Sequence, residues 1–196
     1  TEVGTIYSKA ELPALSETCH KYGLYLFLDG ARLGYGLAAP DNDLTLPEIA
    51  ALCDVFYIGG TKVGALFGEA VVIKNPELAQ DFRYLIKQNG GMLAKGRLLG
   101  LQFDALFTDG LYQEISAHAI AMAEKLREAF TAKGYTYLAP NRTNQIFVIV
   151  PDAHLAKISE QFEYSYDQRI DATHSCVRFC TGWATREENV LSLIHI

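Results

Sequence analysis

The feature that most constrains the fold is a run of five apolar residues at positions 24–28. Its sequence, Leu-Tyr-Leu-Phe-Leu, shows no alternation of polar and apolar side chains. Such a run is typical of a strand that is buried on both faces of a largely parallel sheet. Two further apolar runs, at 55–58 and 69–73, predict additional strands, and helical patterns come before each of the first two strands. The alternation of helix and strand predicts an α/β fold for this part of the chain.

Local signals predict where two of the helices begin. Thr45 and Glu48 have the spacing of a capping box, and so do Ser8 and Glu11. In a capping box, the two side chains each accept a hydrogen bond from the backbone N–H groups of the first helical turn. Pro13 is unfavourable inside a helix, which predicts that the helix after Ser8 begins close to this proline.

The second half of the chain begins with helical patterns from residue 77. These patterns break at Gly90-Gly91 and resume as one amphipathic stretch over about 98–133. The remaining apolar patterns predict two or three strands, among 135–138, 145–150 and 176–179, and a helix at 152–162. We therefore predict three parts: 1–90 within an α/β domain, 91–133 as a connecting helical region, and 134–196 as a small α+β domain.

Composition excludes several classes of function. The chain has 196 residues, of which 49% are hydrophobic and 20% charged, as in globular domains with a substantial core. Its formal net charge of -6 provides no basic surface for nucleic acid or anionic lipid. No apolar run approaches the roughly 20 residues that span a bilayer, and the first residues do not form a signal peptide. We therefore expect no nucleic-acid partner, no membrane partner and a cytoplasmic location.

The four cysteines predict neither a disulfide framework nor a metal site. They lie among apolar residues, as small core residues with reduced thiols do. Cys176 and Cys180, with His174 nearby, could be read as metal ligands. In a strand, however, positions four apart lie about 13 Å from each other. That distance is too long for two bonds to one zinc ion, so we predict no metal.

Asp29 and Lys62 each follow a predicted strand. Asp29 comes directly after the 24–28 run, and Lys62 lies in the glycine-rich turn after 55–58. Ligands of open α/β sheets bind at the carboxyl ends of strands, so both side chains lie where a site is expected. An aspartate with a pKa of ~3.9 is ionised at neutral pH and can keep a pyridinium nitrogen protonated. A lysine in an apolar turn can lose its proton and form a Schiff base, so the two residues together suit pyridoxal phosphate.

Each of these residues also has a simpler interpretation. An aspartate after an apolar strand is commonly a turn or N-cap residue. The Gly-Gly-Thr-Lys turn at 59–62 could instead cradle a phosphate, but it lacks the spacing G-x-x-x-x-G-K-[ST] of a nucleotide-binding loop. The segment 30–36 likewise lacks the dinucleotide fingerprint G-x-G-x-x-G. Nucleotide binding is therefore the weaker hypothesis.

Three motifs together resemble one enzyme family. They are Asp-Gly-Ala-Arg-Leu at 29–33, Gly-Gly-Thr-Lys-Val-Gly-Ala at 59–65 and Gly-Gly-Met at 90–92. They look like the low-specificity L-threonine aldolases, within the β-eliminating lyase group of fold type I pyridoxal phosphate enzymes. The resemblance runs through nearly the whole chain. It implies the C-terminal part of an aspartate-aminotransferase-like large domain, followed by a small α+β domain.

The resemblance also implies roles for individual residues. Lys62 would carry the internal aldimine of pyridoxal 5′-phosphate, and Asp29 would pair with the pyridine nitrogen. Ala31 would pack under the cofactor ring, and Arg32 would help to orient the substrate. No histidine of this chain lies at the position of the ring-stacking histidine of the family. That histidine and the cofactor phosphate loop belong to the first half of the family, which is expected to precede Thr1.

Arg178, in Cys-Val-Arg-Phe-Cys at 176–180, resembles the small-domain arginine that binds the substrate α-carboxylate. A guanidinium group offers a planar fork of donors that lysine does not have. The alternative interpretation is a surface or interdomain ion pair, worth at most about 1 kcal/mol. Lys95 and Arg97 follow the 90–92 motif where many relatives have Arg-Gln, so a phosphate contact and a solvated-helix role both stay open.

The activity implied by the resemblance is retro-aldol cleavage of L-threonine or L-allo-threonine to glycine and an aldehyde. Other reactions of the same cofactor, namely β-elimination, racemisation and transamination, use the same aspartate and lysine and stay open. The whole enzyme is expected to be a homodimer or homotetramer that acts on a small-molecule amino acid. The chain by itself is expected to be a fragment that is inactive, or that only packs against a partner.

Overall fold

The structure is a computed structural model and is described for residues 2–194. The chain forms two compact units. We call the first, Tyr7–Leu37 and Asp43–Gln113, the Lys62 unit, and we call the remaining described residues the Arg178 unit. The boundary after Gln113 falls inside the segment 91–133 that the sequence predicts as a connector, so the helices of that segment are shared between the two units. Among the described residues, no helix combines the length and the apolar character that a membrane span requires.

The Lys62 unit contains a three-stranded mixed sheet. Its strands are β1 (Phe27–Leu28), β2 (Val55–Gly59) and β3 (Glu69–Ile73), in the order β1-β2-β3. Strands β1 and β2 are parallel, whereas β2 and β3 are antiparallel. The predicted strands at 55–58 and 69–73 are therefore confirmed.

The prediction for the apolar run at 24–28 is wrong. Only its last two residues form a strand, and Leu24, Tyr25 and Phe27 are exposed. The physical reason is that β1 lies at the edge of its sheet and pairs, among the described residues, with β2 alone. A strand is buried on both faces only when other elements cover those faces, and an apolar sequence does not supply them.

The Lys62 unit also contains six helices. They are α1 (Glu11–Lys21), α2 (Leu33–Leu37), α3 (Leu46–Leu52), α4 (Pro76–Ala79), α5 (Phe82–Gln88) and α6 (Arg97–Phe107). The capping box of Thr45 and Glu48 is present at the start of α3, as predicted. At the start of α1, the Ser8 hydroxyl and the Ser8 N–H both donate a hydrogen bond to the Glu11 carboxylate. Helix α1 begins two residues before Pro13.

The Arg178 unit packs helices against a four-stranded antiparallel sheet. Its strands are β4 (Thr136–Tyr137), β5 (Gln145–Pro151), β6 (Ser165–Arg169) and β7 (His174–Cys180), in the order β4-β5-β7-β6. The helices are α7 (Leu111–Ala132, whose first turn belongs to the Lys62 unit), α8 (Asp152–Ile158) and α9 (Glu187–Ile194). Val148 and Phe179 on the sheet and Leu126 on α7 belong to one buried core. This unit has the predicted α+β character.

In the second half, one prediction is wrong and one strand was not predicted. The stretch 98–133 is not one helix, because α6 and α7 are separated at 108–110, where Asp109 and Gly110 have φ values of 51° and 76°. Positive φ interrupts an α-helix, and glycine adopts it at no steric cost. Strand β6 was missed because its sequence, Ser-Tyr-Asp-Gln-Arg, is polar and all five residues are exposed. Such a strand has no apolar face to reveal it.

Candidate active site

The structure places Asp29 and Lys62 at the same edge of the three-stranded sheet. Asp29 follows β1 directly, and Lys62 lies in the turn after β2. In the parallel pairing of these strands, Phe27 lies opposite Val55 and Leu28 opposite Phe56. The carboxyl ends of parallel neighbours meet at one edge, which is where ligands of open α/β sheets bind.

Two glycines allow the loops after β1 and β2 to approach each other closely. The N–H of Gly59 donates a hydrogen bond to the carbonyl oxygen of Gly30 at 2.9 Å. A Cβ atom on Gly30 would overlap the carbonyl oxygen of Tyr57, and a Cβ atom on Gly59 would overlap that of Ala31. Any larger side chain at either position would therefore push the two loops apart.

Tyr112 connects α2 to the end of β2 from inside the unit. Its buried hydroxyl donates to the carbonyl oxygen of Gly59 at 2.9 Å and accepts from the N–H of Gly34 at 3.1 Å. Burial raises the pKa of Tyr112, so the hydroxyl keeps its proton. A second buried tyrosine, Tyr35, donates to the carbonyl oxygen of Lys62. The backbone on both sides of the site is thus fixed by tyrosine hydroxyls.

The Asp29 carboxylate is exposed and accepts two hydrogen bonds from its surroundings. One comes from the Tyr57 hydroxyl and the other from the Ala31 N–H at 3.0 Å. The Tyr57 hydrogen bond is the main cause that lowers the pKa of Asp29, and the Ala31 N–H and the charges of Lys62 and Arg32 act in the same direction. Asp29 is therefore ionised near neutral pH.

Tyr57 remains the donor in this pair over the whole neutral range. Burial, the hydrogen bond to Asp29 and that negative charge raise the pKa of Tyr57 to about 12. The half-buried guanidinium of Arg32 makes no side-chain hydrogen bond among the described residues, yet its charge acts on both Asp29 and Tyr57. Asp29, Ala31, Arg32 and Lys62 thus lie in the segments that follow β1 and β2, and their assignment to one site stays a prediction.

The Lys62 turn has a defined backbone but an exposed side chain. The N–H groups of Val63 and Ala65 both donate to the carbonyl oxygen of Gly60 at 2.9 Å, and Gly64 has a φ of 94°. Lys62 itself is exposed. The turn is rich in glycine, as the sequence predicts, but the apolar enclosure that we expected around the amine is absent from the described residues. Among the neighbours of Lys62 in this turn, Val63 and Ala65 are buried.

Anchors on both sides hold this turn. On one side, the N–H of Gly60 donates to the carboxylate of Glu69 at the start of β3. On the other side, Gln102 of α6 accepts hydrogen bonds from the N–H groups of Leu66 and Phe67 and donates to the carbonyl oxygen of Phe67. The position of the Lys62 backbone therefore depends on neighbouring elements as well as on the turn.

Arg178 lies in the other unit, on β7. Its Nη1 donates to Gln145 Oε1 at 3.2 Å, its Nη2 lies 3.4 Å from Ser165 Oγ, and its guanidinium lies 6.0 Å from the ring centre of Phe147. Its Nε is buried and has no partner among the described residues. None of the described carboxylates forms a salt bridge with Arg178, so the alternative of an ion pair finds no partner in this part of the chain. The guanidinium keeps donors for a ligand.

Other candidate groups in the described chain offer no further chemistry. No three side chains of His, Cys, Asp or Glu among residues 2–194 are grouped as metal ligands. None of the four cysteines forms a disulfide, and burial raises the pKa of both Cys53 and Cys176 to about 11. A thiol with a raised pKa is a poor nucleophile near neutral pH.

Residues missed by the sequence analysis are the three tyrosines at 35, 57 and 112. Tyr57 had a usable signal, because its hydroxyl is the one polar side-chain group in the strand at 55–59. This strand also pairs with β1, which Asp29 follows directly. Tyr112 had none. It lies 53 positions from Gly59, and only the folded chain brings the two together.

Comparison with known sequences gives one consistent family. Residues 1–153 match the family described as beta-eliminating lyase. Low specificity L-threonine aldolase from Pseudomonas sp. is 33% identical over 197 residues, covering 98% of this chain and 55% of that protein. The protein of the same name from Pseudomonas aeruginosa is 36% identical over 149 residues, covering 76% of this chain and 43% of that protein. The chain thus spans about half the length of the curated relatives it matches.

Solved structures agree with this result. Threonine aldolase from Leishmania major has a TM-score of 0.97 and 44% identity, covering 100% of this chain and 57% of that chain. A mutant of Thermus thermophilus aspartate aminotransferase has a TM-score of 0.69 and 17% identity, covering 98% of this chain and 52% of that chain, which shows the fold alone. The predicted fold class and the resemblance carried by the three motifs are confirmed.

Proposed function

The chain belongs to the β-eliminating lyase family, and on that premise we propose that it supplies part of the active site of a pyridoxal-phosphate-dependent lyase. The proposed reaction cleaves a β-hydroxy-α-amino acid such as L-threonine or L-allo-threonine to glycine and an aldehyde. The relatives named L-threonine aldolase support this choice of substrate. The activity is proposed for the whole protein, because the match covers about half the length of those relatives.

One observation carries the proposal, namely the ionised carboxylate of Asp29 beside the exposed amine of Lys62. Asp29 follows β1 and Lys62 follows its parallel neighbour β2, so both groups lie at the same edge of the sheet, and the charge of Lys62 adds to the larger effect of Tyr57 in lowering the pKa of Asp29. A carboxylate for a pyridine nitrogen and an amine for an aldehyde are the two groups that pyridoxal phosphate needs. The donor set therefore fits this cofactor.

Each proposed residue has a separate task. Lys62 would hold the cofactor through its amine, and Asp29 would keep the proton on the ring nitrogen. Ala31 would pack under the ring, where its small side chain leaves space, and Arg32 would help to orient the substrate. When bound, pyridoxal phosphate supplies an electron sink for cleavage of bonds at the substrate α-carbon.

Arg178 would bind the α-carboxylate of the amino acid. Support comes from the absence of a salt bridge between Arg178 and any carboxylate among the described residues. A guanidinium binds a carboxylate through two parallel hydrogen bonds, which fixes the orientation of the substrate as well as its charge. Holding the breaking bond in one orientation is a large part of what such a site contributes to the rate.

The experiment is covalent trapping of the cofactor. The chain is incubated with pyridoxal 5′-phosphate, reduced with borohydride and mapped by mass spectrometry. We expect the reduced cofactor on Lys62, no label at that peptide in Lys62→Ala, and unchanged labelling in the control Lys87→Ala, since Lys87 is an exposed lysine of α5. Equal labelling of many lysines in the parent chain, with no preference for Lys62, would reject the proposal.

A second candidate reaction is β-elimination, which the description of the matching family favours. It uses the same aspartate and lysine, and the fold does not separate the two reactions. Product analysis of the whole protein with threonine, serine and cysteine separates them. Glycine and acetaldehyde from threonine would support retro-aldol cleavage, whereas pyruvate from serine or cysteine, without glycine, would support β-elimination.

We also propose that the whole protein self-associates as a homodimer or homotetramer. Support comes from large apolar side chains that are exposed on α5 and α6, namely Tyr84, Leu85, Leu98, Leu101 and Phe107. Monomeric proteins rarely expose extended apolar patches. Sedimentation velocity tests the proposal, and a single monomeric species at micromolar concentration would contradict it.

A further inference from the structure

The two oxygens of the Asp29 carboxylate have different surroundings. Oδ1 accepts both hydrogen bonds, one from the Tyr57 hydroxyl and one from the Ala31 N–H. Oδ2 accepts none from the residues that the structure describes. An ionised carboxylate has about four acceptor sites. The lone pairs of Oδ2 are therefore available to a donor from outside the described residues.

Strand pairing fixes the position of Tyr57. The parallel register of Phe27 with Val55 and of Leu28 with Phe56, extended by one residue, sets Asp29 beside Tyr57. The Tyr57 ring also lies 6.0 Å, centre to centre, from the ring of Phe27, at an angle of 43°. The position of the phenol is thus fixed by strand β2 and by the ring of Phe27. From this position its hydroxyl donates to Asp29.

We propose that Tyr57 is a positioning residue for the cofactor: it fixes Oδ1 of Asp29 and so presents Oδ2 to the protonated ring nitrogen. This inference rests on the proposed function and adds to it a residue outside the three motifs that carry the family resemblance. Tyr57 does not touch the reacting atoms. It acts through the orientation and the charge of Asp29.

The charges around Asp29 explain why a neutral donor is useful there. Lys62 and Arg32 favour the ionised carboxylate, and Glu69 acts on Tyr57 by favouring its protonated form. The amine of Lys62 must be uncharged to react with an aldehyde. An uncharged amine no longer lowers the pKa of Asp29. The Tyr57 hydroxyl is neutral throughout and continues to donate.

The first test measures Asp29 in the chain without cofactor. Aspartate carboxyl carbons are labelled with ¹³C and titrated by NMR, with Asp29→Asn to assign the signal. We expect Tyr57→Phe to shift the titration of Asp29 to higher pH, because the main group that favours the ionised form is lost. Tyr25→Phe is the matched control, since Tyr25 is exposed and is not among the described residues that donate a hydrogen bond to Asp29. An unchanged titration in Tyr57→Phe would overturn the proposal.

The second test measures cofactor affinity. We expect Tyr57→Phe to bind pyridoxal 5′-phosphate about threefold more weakly than the parent chain, a small factor because the carboxylate is exposed. The ratio of the two affinities should widen as the pH falls, since the variant protonates Asp29 earlier. Tyr25→Phe should bind like the parent. A constant ratio at all pH values, or equal affinities, would overturn the role in cofactor positioning.

A further variant keeps the proposal testable if Tyr57→Phe does not fold. Site-specific replacement of Tyr57 by a fluorinated tyrosine makes the phenol a stronger donor and should shift the Asp29 titration to lower pH. Borohydride trapping separates this proposal from the proposed function. Labelling at Lys62 together with an unchanged Asp29 titration in the variants rejects Tyr57 alone, whereas no labelling at Lys62 rejects both.

Discussion

Two apolar runs of similar composition have different surroundings in this protein. The run at 24–28 ends in the edge strand β1 and is largely exposed, whereas β5 in the Arg178 unit pairs on both sides and is almost completely buried. Strand β1 has one neighbouring strand, whereas β5 has two and contributes to a buried core, although the two sequences are both apolar. An apolar run therefore indicates a capacity for burial, and the neighbours decide whether that burial occurs.

The difference also explains how the candidate site is held. Around Arg178, strand pairing and a buried core fix the backbone. Around Asp29 and Lys62, burial is weak, and the geometry depends on the close approach of Gly30 and Gly59 and on the hydroxyl of Tyr112. Substitutions should therefore disturb the two regions in different ways.

A pair of phenylalanines gives the strongest contrast. Phe179 on β7 is 6% exposed, whereas Phe27 on β1 is 58% exposed. We expect Phe179→Ala to lower the free energy of unfolding by about 3–5 kcal/mol, as is usual for a phenylalanine removed from a core. Phe27→Ala should cost less than about 1 kcal/mol. Urea unfolding followed by circular dichroism measures both, and equal costs would contradict the assignment of the two environments.

A pair of glycines tests the close approach of the two loops. A Cβ on Gly59 would overlap the backbone of Ala31, so Gly59→Ala should destabilise the chain by about 2–3 kcal/mol. Gly100 lies within α6 with no atom near its hypothetical Cβ, so Gly100→Ala should stabilise by about 0.5–1 kcal/mol. Thermal unfolding of the two variants should give shifts of opposite sign. A Gly59→Ala variant as stable as the parent would show that the loops have room to move.

Removal of the Tyr112 hydroxyl should have a smaller effect. Tyr112→Phe leaves the carbonyl oxygen of Gly59 and the N–H of Gly34 without this partner, at a cost of about 1–2 kcal/mol. Tyr84→Phe is the control, because Tyr84 is 73% exposed. We also expect faster amide hydrogen exchange at Gly34 in Tyr112→Phe alone, and unchanged exchange there would argue against the bridge.

The pH dependence contributed by Asp29 should be smallest. The pKa of Asp29 in the folded chain lies below its ordinary value, first because of Tyr57. The ionised carboxylate therefore stabilises the fold above the unfolded pKa of ~3.9, and this stabilisation is lost as the pH falls through the lowered pKa. Since Asp29 is exposed, we expect less than about 0.5 kcal/mol.

Unfolding of Asp29→Asn at neutral pH and near pH 3 tests this sign. The variant should lose slightly less stability on acidification than the parent chain does. Asp104→Asn, at an exposed position of α6, should behave like the parent. A larger acid-induced loss in Asp29→Asn than in the parent would contradict the sign.

Much of the fold could be predicted because its signals are local. The strands at 55–58 and 69–73, the capping box of Thr45 and Glu48, and the apolar strand at 145–150 each depend on neighbouring residues in the sequence. The exposure of 24–28, the break at 108–110 and the polar strand β6 were not predicted. Each of these depends on tertiary packing or on residues with positive φ, which periodicity does not record.

The candidate site divides in the same way. Asp29 and Lys62 could be predicted as neighbours because each follows a strand, and parallel strands bring their carboxyl ends together. The partners of Asp29 could be predicted less well, because the Tyr57 hydrogen bond depends on the register of two strands. The connection made by Tyr112 joins positions 53 residues apart and leaves no pattern in the sequence.

The most direct test of the central claim is ¹⁵N NMR of pyridoxal 5′-phosphate labelled at the ring nitrogen and bound through Lys62. If Asp29 and Lys62 serve the same ring, we expect a protonated ring nitrogen in the parent chain and an unprotonated one in Asp29→Asn, with the label still attached to Lys62. The same ring-nitrogen shift in both proteins would show that Asp29 does not meet the cofactor held by Lys62.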